Sequence, residues 1–142
     1  MPEINFVDTN ILVYAHDRSE GTKHVQARKL VEQLWKNSEG VLSTQVLQEL
    51  CINLTRKMRN PFSLEEVREI VQDYLRWPIV VNTADSVLRA LEIEGRYKIS
   101  FWDSLIVQAA ERAGAATLYS EDLAPGQAYG AVRVVNPFAT TP

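Results

Sequence analysis

An α/β fold, its mainly parallel sheet covered by helices on both faces, is predicted by three features of the chain. Short apolar runs recur along the whole length. Stretches with helical spacing of apolar residues separate them, and caps, glycines and prolines punctuate the junctions. Strands that alternate with helices imply crossover connections, and crossovers join parallel strands.

The first run, Ile4-Asn5-Phe6-Val7, reads as a buried strand that stops at Asp8. Apolar residues restart at Ile11 with helix-like content, so Thr9 or Asn10 is expected to cap a helix and to leave the Asp8 carboxylate facing outward. Thr22 caps a second helix to about Lys36, with Val25, Ala27, Leu30, Val31, Leu34 and Trp35 near helical spacing and Gly40 as its breaker. Val41-Leu42-Ser43 is the next strand. Thr44 is expected to cap the helix whose stripe is Val46, Leu47, Leu50 and Leu54, and which ends in the basic cluster Arg56-Lys57-Met58-Arg59.

Ser63-Leu64-Glu65-Glu66 is a capping box opening a helix to about Arg76. After Pro78, Ile79-Val80-Val81 reads as a strand. Thr83 begins a helix that reaches Glu94 and is stopped by Gly95. Trp102, Leu105, Ile106, Ala109 and Ala110 then occupy helical positions i, i+3, i+4, i+7 and i+8. They define the buried face of a helix that starts near Phe101 and ends at Gly114. Ala116 to Tyr119 is a strand, Gly126 to Gly130 a loop, and Val132 to Val135 the last strand.

The 142 residues suit one domain, 1–142, without repeats, low-complexity tracts or a linker. A hydrophobic content of 46% with 23% charged residues is that of a soluble globular protein. No run approaches the roughly 18 apolar residues of a membrane span. Met1-Pro2-Glu3 lacks the opening of a signal peptide, and the single cysteine, Cys51, has no partner for an internal disulfide. A cytoplasmic location is expected. The net charge of −3 and the pI near 5.4 exclude a binder that relies on phosphate neutralisation alone. They do not exclude a metal-dependent nuclease, whose carboxylates repel phosphate until cations fill the site.

Four acids fall where such a site belongs. Asp8 ends the first strand, and Asp122 lies just beyond the strand that ends at Tyr119. Glu49 and Asp103 lie early in helices. In a parallel sheet these features share the carboxyl edge, where α/β folds bind ligands. Each acid also has an ordinary explanation. Asp8 suits an N-cap, Ser100-x-x-Asp103 approximates a capping box, Asp122 fits a turn, and Glu49 a solvated helix. Glu49, however, sits beside the Val46/Leu50 stripe, with Gln45 and Asn53 continuing a polar row. Convergence of all four on one edge is better explained by a site for hard divalent cations, which prefer oxygen ligands. His16 and His24, expected at the surface, stand apart from any cysteine and offer no zinc site. No phosphate-binding glycine loop and no Gly-x-Ser-x-Gly elbow is present.

With these residues in view, the chain resembles the PIN-domain nucleases, and within them the VapC-type toxin ribonucleases. The resemblance is carried by Phe6-Val7-Asp8-Thr9-Asn10, by Glu49 in Gln45-Val46-Leu47-Gln48-Glu49-Leu50, by Phe101-Trp102-Asp103, and by Leu118-Tyr119-Ser120-Glu121-Asp122-Leu123. It spans nearly the whole chain, with the motifs in the family's order. It implies a PIN-like three-layer fold and metal-dependent endoribonuclease activity on RNA. It also implies that Asp8, Glu49, Asp103 and Asp122 surround Mg²⁺ or Mn²⁺, with Asp122 completing the pocket directly or through water. Thr9, Asn10 and Ser120 would support the acids by hydrogen bonds, and Glu121 receives no catalytic role. A homodimer and a cognate antitoxin are further implications. Arg56, Lys57 and Arg59 suit a solvated helix end better than phosphate contacts. Two other functions compete: a PIN scaffold that binds RNA or protein without cleaving, and a haloacid dehalogenase-type phosphohydrolase. The latter lacks its second acid, replaced here by Asn10, and a matching lysine.

Overall fold

The computed structural model describes residues 3–139. One sheet contains β1 (Asn5–Val7), β2 (Gly40–Ser43), β3 (Ile79–Val80), β4 (Thr117–Tyr119), β5 (Ala128–Tyr129) and β6 (Val132–Val135). Their order is β3-β2-β1-β4-β6-β5, and every neighbouring pair is parallel except β5 with β6. Six α-helices connect the strands: α1 (Thr9–His16), α2 (Thr22–Asn37), α3 (Thr44–Ile52), α4 (Leu64–Tyr74), α5 (Ala84–Tyr97) and α6 (Phe101–Arg112). Every residue of β1 and β2 is buried. Because neighbouring strand residues point to opposite faces, that burial requires helices on both sides of the sheet. The predicted α/β class and mainly parallel sheet are therefore present. Helix α1 packs on α2 and α5 on α6, closing a core that includes Phe6, Leu12, Leu42, Leu50, Ile93 and Leu118.

The strand order reverses between β1 and β4, the switch point at which α/β sheets open a crevice. Pairing of Val7 with Tyr119 sets Asp8 level with Ser120, and the Asp8 amide continues the ladder to the Tyr119 carbonyl at 2.9 Å. The site is built on this pair of strand ends.

Several local expectations are corrected. Ser43, not Thr44, caps α3; its hydroxyl accepts from Val46 N at 3.3 Å. Gly40 does not end α2. Ser38 does so in the left-handed region, while Gly40 begins β2 against the Trp77 ring, where a Cβ would come within 2.3 Å of it. Helix α5 continues through Gly95 to Tyr97 and stops at Lys98, which has φ 59°. Burial of Ile93 and the packing of α5 on α6 outweigh the helix penalty of one glycine. Helix α4 ends at Tyr74 rather than near Arg76. Residues expected in a loop include the short strand β5, paired antiparallel to β6. Trp102, expected on the buried face of α6, is 64% exposed. His16 is half-buried against the Tyr74 hydroxyl, 2.9 Å from Nε2, and burial pushes its pKa down. No helix among the described residues is long and apolar enough to cross a membrane.

Candidate metal and nucleic-acid cleft

The extended backbone at Asp8 (ψ 157°) turns directly into α1, so Asp8 itself becomes the N-cap. Its Oδ1 accepts from Thr9 N at 2.7 Å, and its Oδ2 accepts from the Ser120 hydroxyl at 2.8 Å. Asp8 is 5% exposed, not turned outward as the sequence suggested, and capping and site membership coexist in one carboxylate. Neither Thr9 nor Asn10 caps α1; both hold other acids, the supporting role that the family resemblance implies for them. The Thr9 hydroxyl donates to Glu49 Oε1 at 2.7 Å, and the Asn10 amide donates to Asp122 Oδ2 at 2.9 Å.

Ser120 is oriented without ambiguity. The backbone amides of Asp122 and Leu123 both donate to its Oγ, at 3.2 and 3.3 Å. Its own hydrogen is thereby directed at Asp8. Asn10 is similarly bidentate, since its Oδ1 accepts from Glu121 N at 3.3 Å. At the start of α6 the Ser100 hydroxyl accepts from Asp103 N at 3.0 Å, but among the described residues the reciprocal bond of a capping box is not made. The Asp103 carboxylate is left to the cleft.

All four acids line one cleft of about 360 Å³, together with Thr9, Asn10, Gln45 and Asn53. Burial pushes the Asp8 carboxyl up to about 7; the bonds from Ser120 and Thr9 offset part of this, and the charges of Asp122 and Glu49 add to it. Asp103 is raised in the same direction, by burial first, with Asp122 adding repulsion and the Ser100 contact opposing. Excess negative charge is the electrostatic signature of the cleft, and a divalent cation is the counterion its donors suit.

Among the described residues, no three His, Cys, Asp or Glu side chains stand in an arrangement that would close on a metal ion. Glu49 is turned to Thr9 and Asp122 to Asn10, so their carboxylates rest on internal donors. The chemistry of the set, oxygen donors only, fits a cation that keeps several waters and takes one or two carboxylates directly. It does not fit a closed protein cage.

Two further acids of the cleft were not legible in the sequence. Asp17 and Glu20 reach it from the end of α1 and the 3₁₀ turn Arg18–Glu20. Gln45 is buried, donates through Nε2 to the Trp102 carbonyl at 3.2 Å, and so ties α3 to α6. Its Oε1 has no hydrogen-bond partner among the described residues. Glu121 forms a separate network, accepting from the Tyr14 hydroxyl at 2.7 Å and pairing with Lys23. It does not line the acid cleft. A larger neighbouring cleft, walled by Trp35, Phe62 and Tyr74, shares Asp17 and Met58 with this one and contains none of the four acids.

The family model described as "PIN domain" matches residues 6–128. Among solved structures, the Mycobacterium tuberculosis VapC20, a Sarcin-Ricin loop cleaving toxin, is 22% identical, with 83% of this chain and 89% of that chain covered at a TM-score of 0.65. A toxin–antitoxin complex from Klebsiella pneumoniae gives 17% identity, 96% and 99% coverage, and a TM-score of 0.69. VapBC2 from Rickettsia felis, bound to a DNA fragment from the promoter of the pair, gives 23%, 84% and 87%, and 0.59. At such identities the likeness is one of fold. No curated protein matches the chain.

Proposed function

Because the chain belongs to the PIN domain family, we propose that it is a divalent-metal-dependent endoribonuclease, the toxin of a toxin–antitoxin pair. The observation that carries this reading is the single cleft at the β1/β4 switch point lined by Asp8, Glu49, Asp103 and Asp122. Asp8, Glu49 and Asp103 are the main ligand set, and Asp122 completes it, directly or through water. Mg²⁺ is the favoured cation and Mn²⁺ an alternative. Bound there, the cation supplies positive charge for the reacting phosphodiester and makes a neighbouring water easier to deprotonate.

The chain's own groups prepare that site. Ser120 and the Thr9 amide hold Asp8 in one orientation, so the carboxylate needs little rearrangement when a cation replaces its missing counter-charge. Thr9 and Asn10 keep Glu49 and Asp122 within the cleft rather than out in solvent. Burial of Asp8 excludes water from one side and strengthens every charge interaction at its carboxylate.

Toxin–antitoxin complexes among the structural neighbours support a protein inhibitor as partner. The proposal also includes a homodimer and a cytoplasmic location. Exposed Val87, Leu88 and Leu91 on α5 are apolar surface consistent with a covered face. A second reading, a scaffold that binds RNA or a partner without cleaving, draws on the absence of a closed metal-binding trio among the described residues. One assay separates the two: purified protein, free of inhibitor, is incubated with RNA in Mg²⁺ or Mn²⁺ and in EDTA. Cleavage that chelation stops, leaving 5′-phosphate and 3′-hydroxyl ends, is expected. Cleavage undiminished in EDTA, or cyclic phosphate ends, contradicts the metal mechanism, and no cleavage at all favours the scaffold.

A further inference from the structure

We propose that Lys57 and Trp102 form a clamp for single-stranded RNA at the acid cleft that both line, Lys57 taking a backbone phosphate and Trp102 stacking on a base. The inference rests on the ribonuclease reading and names how that site holds its substrate. It begins with a break in helix geometry. After α3 the chain makes a π-helical turn, Asn53–Lys57. Two side chains accompany it: the Asn53 amide donates to the Glu49 carbonyl at 2.8 Å, and the Thr55 hydroxyl to the Cys51 carbonyl at 2.7 Å. Such back-bonding competes with the helical ladder and loosens it. On an unbroken α-helix Lys57 would lie about 80° round from Glu49, eight residues at about 100° each. The wider i→i+5 turn advances less per residue and brings Lys57 back toward the row of Glu49 and Asn53.

The consequence is a lysine among acids. Lys57 lines the acid cleft and is the one Lys or Arg among the described residues that do so. It is exposed, and among the described residues it makes no ion pair. For this one residue the proposal departs from the reading of the basic cluster as a solvated helix end. A free ammonium lining the same cleft as four carboxylates would gain most by pairing with one of them. Glu49 and Asp122 are instead held by Thr9 and Asn10. That arrangement leaves Lys57 available to an anion from outside, and the anion a nuclease cleft receives is a phosphate.

The second half of the clamp is Trp102. A tryptophan predicted for the core is 64% exposed, lines the same cleft, and precedes Asp103 directly. Its backbone is pinned by buried Gln45, and its ring meets Phe101 in a T-shaped contact with centroids 5.5 Å apart, while most of the residue stays exposed. Exposed aromatic rings beside cationic side chains are the working parts of single-strand binding, because every base has a face to stack.

The test reads binding apart from cleavage. A fluorescent single-stranded RNA oligonucleotide is titrated with wild type, Lys57→Gln and Trp102→Leu at a fixed low concentration of Ca²⁺, a hard cation that fills the carboxylates in place of Mg²⁺, across a range of monovalent salt, after thermal melts confirm folding and a gel confirms that the oligonucleotide stays intact. Trp102→Leu is expected to weaken binding about five- to hundredfold at every salt concentration. Lys57→Gln should lower the slope of log affinity against log salt by about 0.7, one phosphate contact on a single strand. Lys57→Arg should restore that slope and Trp102→Phe most of the affinity, which keeps the test decisive if a primary variant misfolds. Wild-type affinity and slope in both primary variants, or no RNA binding by wild type, overturns the clamp. Wild type that binds RNA with this variant pattern but cleaves nothing in Mg²⁺ supports the clamp and defeats the ribonuclease reading alone.

Discussion

The Ser120 hydroxyl, fixed by two backbone amides, donates at 2.8 Å to Asp8 Oδ2 across 112 residues of sequence. It joins the ends of β1 and β4, the two strands flanking the switch point. A buried carboxylate is tolerable only when its oxygens find donors, and here one donor comes from each strand end.

Replacing that donor tests its role. Ser120→Ala removes a bond to an ionised partner, worth about 1.5–3 kcal/mol when Asp8 is charged. Orienting partners of metal ligands typically account for about 10–100-fold in affinity or activity. Ser120→Ala is therefore expected to lose about that much RNA cleavage, with Mg²⁺ affinity measured by calorimetry falling in parallel. Unchanged affinity and cleavage would show that the Asp8 orientation does not matter.

The raised carboxyl of Asp8 makes metal-free stability depend on pH. Folded Asp8 titrates near 7, above its ordinary 3.8, so between those values the folded state holds a proton that the unfolded state has released. Stability without metal must fall as pH rises through that window and level off above about 7, with a slope approaching 1.4 kcal/mol per pH unit from this one group. Asp103, shifted the same way, adds to the decline. Denaturant melts in EDTA should show Asp8→Asn with a shallower decline than wild type and equal or greater stability at pH 8. A wild-type curve as flat as the variant's would contradict the burial argument. Mg²⁺ affinity should rise over the same window, because the ligand must lose its proton.

Gly95 gives a prediction about the fold alone. It lies inside α5 with nothing within 4 Å of where a Cβ would stand. Gly95→Ala is expected to stabilise the protein by about 0.5–1 kcal/mol, read as a higher denaturant midpoint, and to leave cleavage unchanged. Destabilisation would mean that the glycine serves a contact outside the chain.

The positions of the four acids are legible in the sequence. Asp8 and Asp122 were placed by strand ends, and Glu49 and Asp103 by their positions early in helices, all signals that depend on local pattern and sheet topology. Their shared cleft follows from the parallel connections. The donors to those acids, Thr9, Asn10 and Ser120, follow from the family resemblance rather than from local pattern. Thr9 looked like a cap because Thr favours caps, yet Asp8 one residue earlier took the cap and freed the Thr9 hydroxyl for Glu49. Trp102 matched the helical period of the core, but its neighbours Ser104, Leu105 and Ile106 fill the buried face and leave the ring outside. The π turn at Asn53–Lys57 left no pattern to read, since it changes helix phase by hydrogen bonding rather than by composition. Strand β5 is two residues long and exists through pairing with β6, so the stretch Gly126 to Gly130, bounded by a glycine at each end, reads as a loop.

The claim that the cleft carboxylates act together as one cation site is tested most directly by thermal melts of wild type, Asp8→Asn and Asp103→Asn, with and without saturating Mg²⁺ at matched ionic strength. A ligand that binds only the folded state stabilises by about 2.7 kcal/mol at a hundredfold excess over its dissociation constant. For a domain of this size each kcal/mol moves the melting temperature by roughly 2–4 °C or slightly more. Wild type should therefore rise by several degrees with Mg²⁺, and both variants by little. Equal gains in all three proteins would place Mg²⁺ elsewhere and contradict the assignment of Asp8 and Asp103 to the metal site.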